Sequence, residues 1–288
     1  MDKFLIVTNR DKDRNLYMTH FIKDFLEKHG KTCHLAEPIQ GNDTLDTGYT
    51  DTSKLQEDVD CVLVLGGDGT LIQTVRDFVG LNIPMAGVNM GTKGFLAAID
   101  KDELTSGLEA LIQGKFDIQK RMLLKGRVYR GERQLQESIA FNDVIVTRSG
   151  YSRLVELKIY VNERLLDIYE ADGMIVSTPT GSTGYNLSAG GPVVFPETQM
   201  MIITPICPHS LSSRSVVVPA DAKVVIKIGK RRKTQKEEAL VTYDGQTVWE
   251  LETGDEVRIE RSKVIAPIIS IRHKNFCDIL RNKMKNVQ

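Results

Sequence analysis

Short apolar runs alternate with helical patterns along the first third of the chain. "KFLIVT" (Lys3–Thr8) and "CVLVL" (Cys61–Leu65) are continuous apolar runs of the length typical of buried strands. Gly30 stands where a helix between them would end. One face of that helix would carry Leu16, Phe21, Ile22, Phe25 and Leu26. Strands that alternate with helices in this way predict an α/β domain with a parallel sheet.

The same alternation continues to about residue 119. "KTCHLA" (Lys31–Ala36) is a candidate second strand, and the polar stretch Gly41–Asp58 is expected to be an exposed loop. A helix is predicted over Thr70–Val79, and "IPMAGVNMGTKGFLAAI" (Ile83–Ile99) predicts a further strand and a second glycine-rich loop. Ligands bind such sheets beyond the carboxyl ends of the strands, where both glycine-rich turns are expected.

The pattern changes near Lys120. From there to about Pro267, alternating segments such as "LVELKIYVNERLL" are separated by turn residues and show almost no helical periodicity, which predicts an all-β domain. The final "NFCDILRNKMKN" has apolar residues at helical spacing. We therefore expect an α/β domain over residues 1–119, an all-β dinucleotide-binding domain over 120–267, and a C-terminal helix in 268–288 that packs back on the first domain.

Composition narrows the classes of function. The 288 residues include 38 Lys and Arg against 38 Asp and Glu, so the formal net charge is zero and neither nucleic acid nor a membrane surface is an expected partner. The basic run Lys227–Lys236 lacks aromatic residues and is interpreted as a hairpin loop. The four cysteines have no metal-ligand or redox spacing, and no apolar stretch has membrane-spanning length. A cytoplasmic location is expected.

The first candidate site is "GGDGT", directly after the apolar run Cys61–Leu65. Glycine turns between a strand and a helix bring backbone N–H groups close to phosphate. Asp68 in the middle of the turn would repel a phosphate unless it holds a metal ion, binds a hydroxyl group or accepts a proton from one. The residues alone leave these three roles open.

The second candidate site lies in the all-β region. Glu170 and the pair Asp172-Gly173 precede a short strand that opens into "STPTGSTGYNLSAGG", a loop dense in hydroxyl and N–H donors. Upstream, Asn142 and Asp143 interrupt the apolar run "AFNDVIV". An amide both donates and accepts hydrogen bonds, as recognition of an adenine edge or a ribose hydroxyl requires.

These motifs resemble those of the NAD kinases, and the resemblance covers nearly the whole chain. "GGDGT" also occurs in lipid kinases of the diacylglycerol and sphingoid-base class, so that motif alone is weakly specific. "DGMIVSTPTGSTGYNLSAGGPVV" is the specific motif, with "FND" before it and "TPICPHSLSSR" and "YDGQ" after it in the family's order. A lipid kinase and a non-catalytic nucleotide sensor are the alternatives, although a sensor could dispense with Asp68.

The resemblance implies transfer of a phosphoryl group from ATP, or from polyphosphate, to the adenosine ribose 2′-hydroxyl of NAD, giving NADP. Asp68 would be the catalytic residue that accepts the hydroxyl proton, with Mg²⁺ or another divalent metal accompanying ATP and no fixed protein ligands for it. A homodimer or homotetramer is implied. The donor loop would comprise Gly66, Gly67, Gly69 and Thr70. The NAD site would comprise Asp68, Gly69, Asn142, Asp143, Arg153, Glu170, Asp172, Thr183, Gly184, Tyr185, Asn186, Leu187, Ser188 and Gln246.

Two residues depart from the family's usual pattern. Asp143 stands where many members have glutamate, which shortens the reach of the carboxylate by one methylene group. Glu170 stands where some members have arginine, and this reversed charge bears on the choice between NAD and NADH because only the oxidised nicotinamide ring is cationic. Tyr185 would offer an aromatic face for stacking on a base.

Overall fold

The computed structural model describes residues 1–37, 50–55, 58–91, 94–150, 154–210, 212–230, 238–271 and 275–285. The chain forms two compact units: Met1–Arg121 with Ile265–Gln288, and Met122–Val264. Most of the predicted loop Gly41–Asp58 lies outside the described residues, as does Arg153.

The first unit begins with alternating strands and helices. They are β1 (Lys3–Thr8), α1 (Tyr17–Lys28), β2 (Thr32–Leu35), β3 (Cys61–Gly66), α2 (Asp68–Asp77), β4 (Met85–Asn89), β5 (Ala97–Asp100) and α3 (Leu104–Ile112). Parallel pairs join the strands in the order β2-β1-β3-β4, and β5 also pairs in parallel with β4. This arrangement confirms the predicted α/β domain.

Apolar side chains of the parallel sheet and its helices form the core of the first unit. Phe4 and Leu63 of the strands and Ile22 and Leu26 of α1 are fully buried. The predicted apolar face of α1 is wrong at Phe21, which is 41% exposed. Consecutive helical residues lie about 100° apart, so a helix that buries Ile22 turns Phe21 toward its edge.

Two helices differ from the sequence-based expectation. Helix α2 begins at Asp68, two residues before the predicted start at Thr70, so Asp68 is its first residue. Helix α3 was not predicted, although its buried Leu104, Leu108 and Leu111 have helical spacing. It is short and follows β5 after a single 3-10 turn, Lys101–Glu103, so its pattern is brief in the sequence.

The second unit is built from antiparallel strands. They are β6 (Phe116–Arg130), β7 (Arg133–Ala140), β8 (Asp143–Arg148), β9 (Val155–Val161), β10 (Arg164–Ala171), β11 (Gly173–Ser177), β12 (Met200–Ile206), β13 (Val216–Pro219), β14 (Val224–Ile228), β15 (Glu238–Tyr243), β16 (Thr247–Glu252) and β17 (Glu256–Ile271), with the one-turn helix α4 (Tyr185–Ser188) after β11. One set pairs in the order β10-β9-β14-β17, and the other in the order β13-β12-β11-β8-β15-β16. The predicted all-β architecture is confirmed.

Both sets of strands contribute to one core. Leu157 of β9 and Ile226 of β14 are fully buried in the same apolar cluster as Met174 of β11 and Val241 of β15. Side chains of a strand alternate between its two faces, so every second residue of these strands faces this core.

The last part of the chain belongs to the first unit. Ile268 of β17 pairs in parallel with Met85 of β4, and helix α5 (Phe276–Lys285) follows. The Phe276 ring lies 6.3 Å from the Phe95 ring, which confirms that the C-terminal helix packs on the first unit. No helix in the described ranges is long and apolar enough to cross a membrane.

A buried aspartate holds the start of α1. The Asp13 carboxylate is 7% exposed and accepts hydrogen bonds from the Met18 N–H, the Thr19 N–H and the Thr19 hydroxyl. Burial raises its pKa, but the hydrogen bonds from Thr19 and Met18 outweigh burial and lower the pKa below the ordinary 3.8. The carboxylate therefore fixes both the helix start and the loop that precedes it.

We expect Asp13→Ala to lower the free energy of unfolding by about 1–3 kcal/mol at pH 7, because it removes three hydrogen bonds from buried donors. Asp11→Ala, at an exposed neighbouring position, is the matched control and should change stability by less than about 0.5 kcal/mol. The contribution of the Asp13 carboxylate to the free energy of unfolding is present above its unfolded pKa of 3.8, and it is lost as pH falls through the lower pKa of the folded state. Urea unfolding of wild type and Asp13→Ala at pH 7 and below pH 4 measures the difference in stability at each pH. A difference between wild type and variant that stays constant with pH would contradict it.

Candidate functional site

The backbone after β4 fixes the carboxylate of Asp68. Asp68 Oδ2 accepts the Phe95 N–H at 2.8 Å, and Oδ1 accepts the Leu96 N–H at 3.3 Å. A side chain at Gly94 would collide with this carboxylate. The two glycine-rich turns predicted from the sequence therefore meet, one supplying the carboxylate and the other holding it.

Within the described residues, the Asp68 carboxylate accepts hydrogen bonds from the N–H groups of this second turn and not from the first N–H groups of α2. A carboxylate has about four acceptor positions, and two of them are used here. The half-buried Asp68 side chain thus keeps capacity to accept a further hydrogen bond.

The glycines of the first turn have different roles. A side chain at Gly66 would collide with Thr70, whose hydroxyl accepts a hydrogen bond from Asn9 Nδ2 at 3.1 Å. Packing against Thr70 therefore accounts for a glycine at position 66, and its role of leaving space for phosphate stays a prediction. Gly69 is exposed, with no atom within 4 Å of a Cβ built on it, and Gly67 faces Lys12. The space expected for phosphate lies at Gly67 and Gly69.

In the second unit, Asp244 organises the segment that carries Asn142 and Asp143. Its carboxylate accepts the N–H groups of Phe141 at 2.8 Å, Asn142 at 2.7 Å and Asp143 at 3.2 Å. Asp244 lies in the tight turn between β15 and β16 with a positive φ of 54°. In the sequence, Asp244 stands out only as part of the motif "YDGQ". Its signal was the Asp-Gly pair, which favours such turns.

The Asn142 side chain has unused hydrogen-bonding capacity. Its Oδ1 atom is buried without a hydrogen-bond partner in the part of the chain that the structure describes. Buried polar atoms nearly always have a partner, so this oxygen fits a residue that binds a ligand. Gln246 lies in the same turn as Asp244, where its backbone N–H donates to the Tyr243 carbonyl.

The loop after β11 packs directly on this segment. Thr178 donates its N–H to the Asn142 carbonyl and its hydroxyl to the Phe141 carbonyl. Gly181 lies against the Asn142 backbone so closely that a side chain would collide with it. A Cβ atom on Gly184 would lie 3.5 Å from Asn142 Nδ2. The structure thus brings the predicted loop and Asn142 together.

Residues 183–188 of this loop divide into exposed and internal positions. Tyr185 is 45% exposed, so its ring is not a core aromatic, and Leu187 and Ser188 are also exposed. Asn186 is fully buried, with Nδ2 donating to the Ser182 and Pro192 carbonyls and Oδ1 accepting the Thr204 hydroxyl. The Asn186 side chain therefore holds the loop together, and the binding role of this position stays a prediction.

Asp143 is 4% exposed, and burial together with the nearby Asp244 carboxylate raises its pKa to about 7. Removing a carboxylate from water disfavours its charged form, and a second negative charge adds to this effect. The carboxyl group consequently changes charge near neutral pH.

The predicted residues of the second unit lie at two ends of β11. Ser177, at one end, pairs with Asp143, whereas Gly173, at the other, pairs with Thr147. The four residue steps between them correspond to about 13 Å. Asp172 at the far end is bound by Arg148 Nε at 2.6 Å, a partner that sequence analysis missed. Glu170 lies on β10 opposite Glu156.

No group of three or more His, Cys, Asp or Glu side chains within the described ranges could hold a metal ion. Asp68 and Asp143 occur in different units. The Asp68 carboxylate accepts the Phe95 N–H, whereas the Asp143 N–H donates to the Asp244 carboxylate. The two predicted sites are therefore each assembled within one unit.

Known protein families account for both units. The model of the ATP-NAD kinase N-terminal domain matches residues 4–116, and that of the ATP-NAD kinase C-terminal domain matches residues 141–271. A NAD kinase of Lachnoclostridium phytofermentans is 44% identical over 285 residues, covering 98% of this chain and 99% of that protein. The chain belongs to the NAD kinase family. A NAD kinase of Lachnospira eligens is 40% identical, covering 99% of this chain and 100% of that protein.

Solved structures of this family share the fold. A yeast NADH kinase complexed with NADH superimposes with a TM-score of 0.79 at 24% identity, covering 98% of this chain and 86% of that one. An NAD kinase from Archaeoglobus fulgidus in complex with ATP gives a TM-score of 0.74 at 23% identity, covering 98% of each chain. The resemblance to the NAD kinases is thus confirmed, and the lipid kinase and sensor alternatives receive no support.

Gly94→Ala should lower NAD kinase turnover by about 10²-fold, because the new methyl group displaces the Asp68 carboxylate and misplacement by about 1 Å has costs of this size. The control is the same change in an Asp68→Ala background, where there is no carboxylate to displace. Steady-state assays of the four proteins should give strongly non-additive losses. An equal loss from Gly94→Ala in both backgrounds would show that its effect does not pass through Asp68.

Asp143→Asn should become more stable relative to wild type as pH rises from about 4 to 7. The raised pKa means that folded wild type binds more protons than the unfolded chain in this interval, so its free energy of unfolding falls by up to about 1.4 kcal/mol per pH unit. Above pH 7 the difference should stay constant. Urea unfolding of both proteins at pH 5 and pH 8 measures it, and equal differences at the two pH values would contradict the raised pKa.

Proposed function

We propose that the protein transfers the γ-phosphoryl group of ATP to the 2′-hydroxyl of the adenosine ribose of NAD, giving NADP. The observation that carries this proposal is the Asp68 carboxylate in its glycine turn, held by the Phe95 and Leu96 N–H groups. Two acceptor positions stay available on it, as a hydroxyl group that donates its proton requires. Membership of the NAD kinase family supplies the substrates.

Asp68 acts on the acceptor and not on the phosphate. Its carboxylate orients the ribose 2′-hydroxyl and accepts its proton as the bond from that oxygen to the γ-phosphorus forms. The bond between the γ-phosphorus and the bridging oxygen of ADP breaks at the same time, and ADP leaves with that electron pair. The role explains why a carboxylate stands in a turn that otherwise suits phosphate.

The second unit binds the dinucleotide. Asn142 has a buried oxygen free to accept a hydrogen bond from the adenine amino group or a ribose hydroxyl. Asp143, whose pKa is raised to about 7, binds the ribose either as a carboxylate or as a donor. The exposed Tyr185 ring suits stacking on a base. Glu170 is assigned to the nicotinamide half. The other residues of the dinucleotide site are Arg153, Asp172, Thr183, Gly184, Asn186, Leu187, Ser188 and Gln246.

A divalent metal ion such as Mg²⁺ fits the donor side of the reaction. Mg²⁺ usually keeps several waters and binds one or two carboxylates together with substrate phosphates. An ion held by the ATP phosphates and water would need no fixed protein ligand, so the free acceptor positions of Asp68 stay available to the ribose hydroxyl. When bound with ATP, the ion supplies neutralisation of the phosphate charge. We also assign a cytoplasmic location and a homodimeric or homotetrameric state to the protein.

Asp68→Asn should lower kcat by about 10²–10⁴-fold, since asparagine keeps the size of the side chain but cannot accept the ribose proton. NAD should bind with near-native affinity by calorimetry, because only the proton acceptor has changed. Coupled assays of NADP formation from NAD, ATP and Mg²⁺, with diacylglycerol as a competing acceptor, measure kcat and acceptor class together.

Two outcomes would defeat the assignment of Asp68 as base. The first is retention of more than about a tenth of wild-type kcat by the folded variant, which falls short of the usual contribution of an acid–base group. The second is recovery of activity at high Mg²⁺, which would make Asp68 a metal ligand. A wild-type protein that forms no NADP would reject the proposed function itself.

A further inference from the structure

The loop between β1 and α1 places a lysine over the glycine turn of Asp68. A Cβ atom built on Gly67 would lie 2.7 Å from Lys12 Nζ, and one built on Gly91 would lie 3.7 Å from it. The ammonium group therefore lies beside the turn where space for phosphate was expected. Both glycines belong to the loops that form the Asp68 site.

Lys12 brings a positive charge to this turn. Lys12 is exposed, and within the ranges that the structure describes its ammonium group has no hydrogen bond or salt bridge. Some other lysines of this unit form ion pairs, as Lys31 does with Asp2 at 2.6 Å. A cation beside the turn can thus bind an anion without first breaking a bond.

The loop that carries Lys12 is anchored at both ends. Asn9 donates its backbone N–H to the Leu65 carbonyl and its side-chain amide to the Thr70 hydroxyl, while its carbonyl accepts the Lys12 N–H at 3.1 Å. The buried Asp13, directly after Lys12, is held by Thr19. Because Leu65 and Thr70 flank the glycine turn, Lys12 is tied to the same structure as Asp68.

The glycine turn itself contains no cation. Gly66–Thr70 carries one acidic residue and no basic one, whereas the phosphate-binding P-loop includes its own lysine. Phosphoryl transfer relies on electrostatic stabilisation of the phosphate oxygens, so positive charge must reach this turn from another segment. The ammonium group of Lys12 lies beside Gly67, so it can supply this positive charge.

We propose that Lys12 binds the phosphate chain of the phosphoryl donor and stabilises its charge during transfer. The ammonium group donates hydrogen bonds to the phosphate oxygens beside Gly67, while Asp68 receives the acceptor proton. The inference rests on the proposed function, since it assigns Lys12 to the donor side of that reaction. Lys12 takes no proton and forms no covalent bond.

The test compares Lys12→Gln and Lys12→Arg with wild type, and Lys28→Gln is the matched control because Lys28 is an exposed lysine at the far end of α1. Lys12→Gln should raise KM for ATP about 10-fold and lower kcat about 3–10-fold, a combined loss of the size expected for a hydrogen bond to a charged group. KM for NAD should stay within about twofold. Lys12→Arg should recover part of the loss, and Lys28→Gln should match wild type.

Calorimetry with NAD and with the β,γ-imido analogue of ATP in Mg²⁺ measures binding without turnover. Lys12→Gln should weaken binding of the analogue about 10-fold and leave that of NAD unchanged. Unchanged affinity for the analogue together with unchanged kcat would overturn the proposal, as would equal losses for analogue and NAD. A wild-type protein without NAD kinase activity would reject the proposed function, and the calorimetry would still decide the role of Lys12.

Discussion

Two hydrogen bonds from the backbone of Phe95 and Leu96 hold the Asp68 carboxylate, and the chemistry of the site depends on them. They require the turn after β4 to approach the start of α2 closely, which a side chain at Gly94 would prevent. They also require β3 and β4 to be neighbours, so that both turns emerge at one edge of the sheet. The parallel sheet thus brings the carboxylate and its donors together.

The second unit uses the same principle with different residues. The Asp244 carboxylate accepts three consecutive N–H groups and so determines where Asn142 and Asp143 point. Pairing of β15 with β8 brings the Asp244 turn to the start of β8, just as pairing of β3 with β4 serves Asp68. In each unit, the pairing of two strands brings an aspartate next to a second segment, and the hydrogen bonds from the backbone N–H groups of that segment to the carboxylate fix the local geometry.

Both architectures could be predicted from the sequence because strand and helix periods are visible in short windows. Asp68, Asn142 and Asp143 could be proposed as site residues because a polar residue that interrupts an apolar run is conspicuous. Asp244 and Lys12 could not be proposed in this way, because they contact segments roughly 100 and 55 residues away in the sequence.

The same limit applies to two residues that occur in motifs rich in binding residues. Gly66 packs against Thr70, and Asn186 accepts a hydrogen bond from Thr204. Composition cannot separate a glycine that admits a ligand from one that admits a neighbouring side chain. That distinction requires the position of the neighbour, which only the folded chain supplies.

The most direct measurement is a crystal structure of the protein with NAD and a non-hydrolysable ATP analogue bound. The account predicts that one Asp68 carboxylate oxygen lies about 2.6–3.2 Å from the ribose 2′-oxygen, the distance required of a proton acceptor. It also predicts that the Phe95 and Leu96 N–H groups still hold the carboxylate. A 2′-oxygen beyond hydrogen-bonding distance of Asp68, with the carboxylate bound to the metal ion instead, would contradict it.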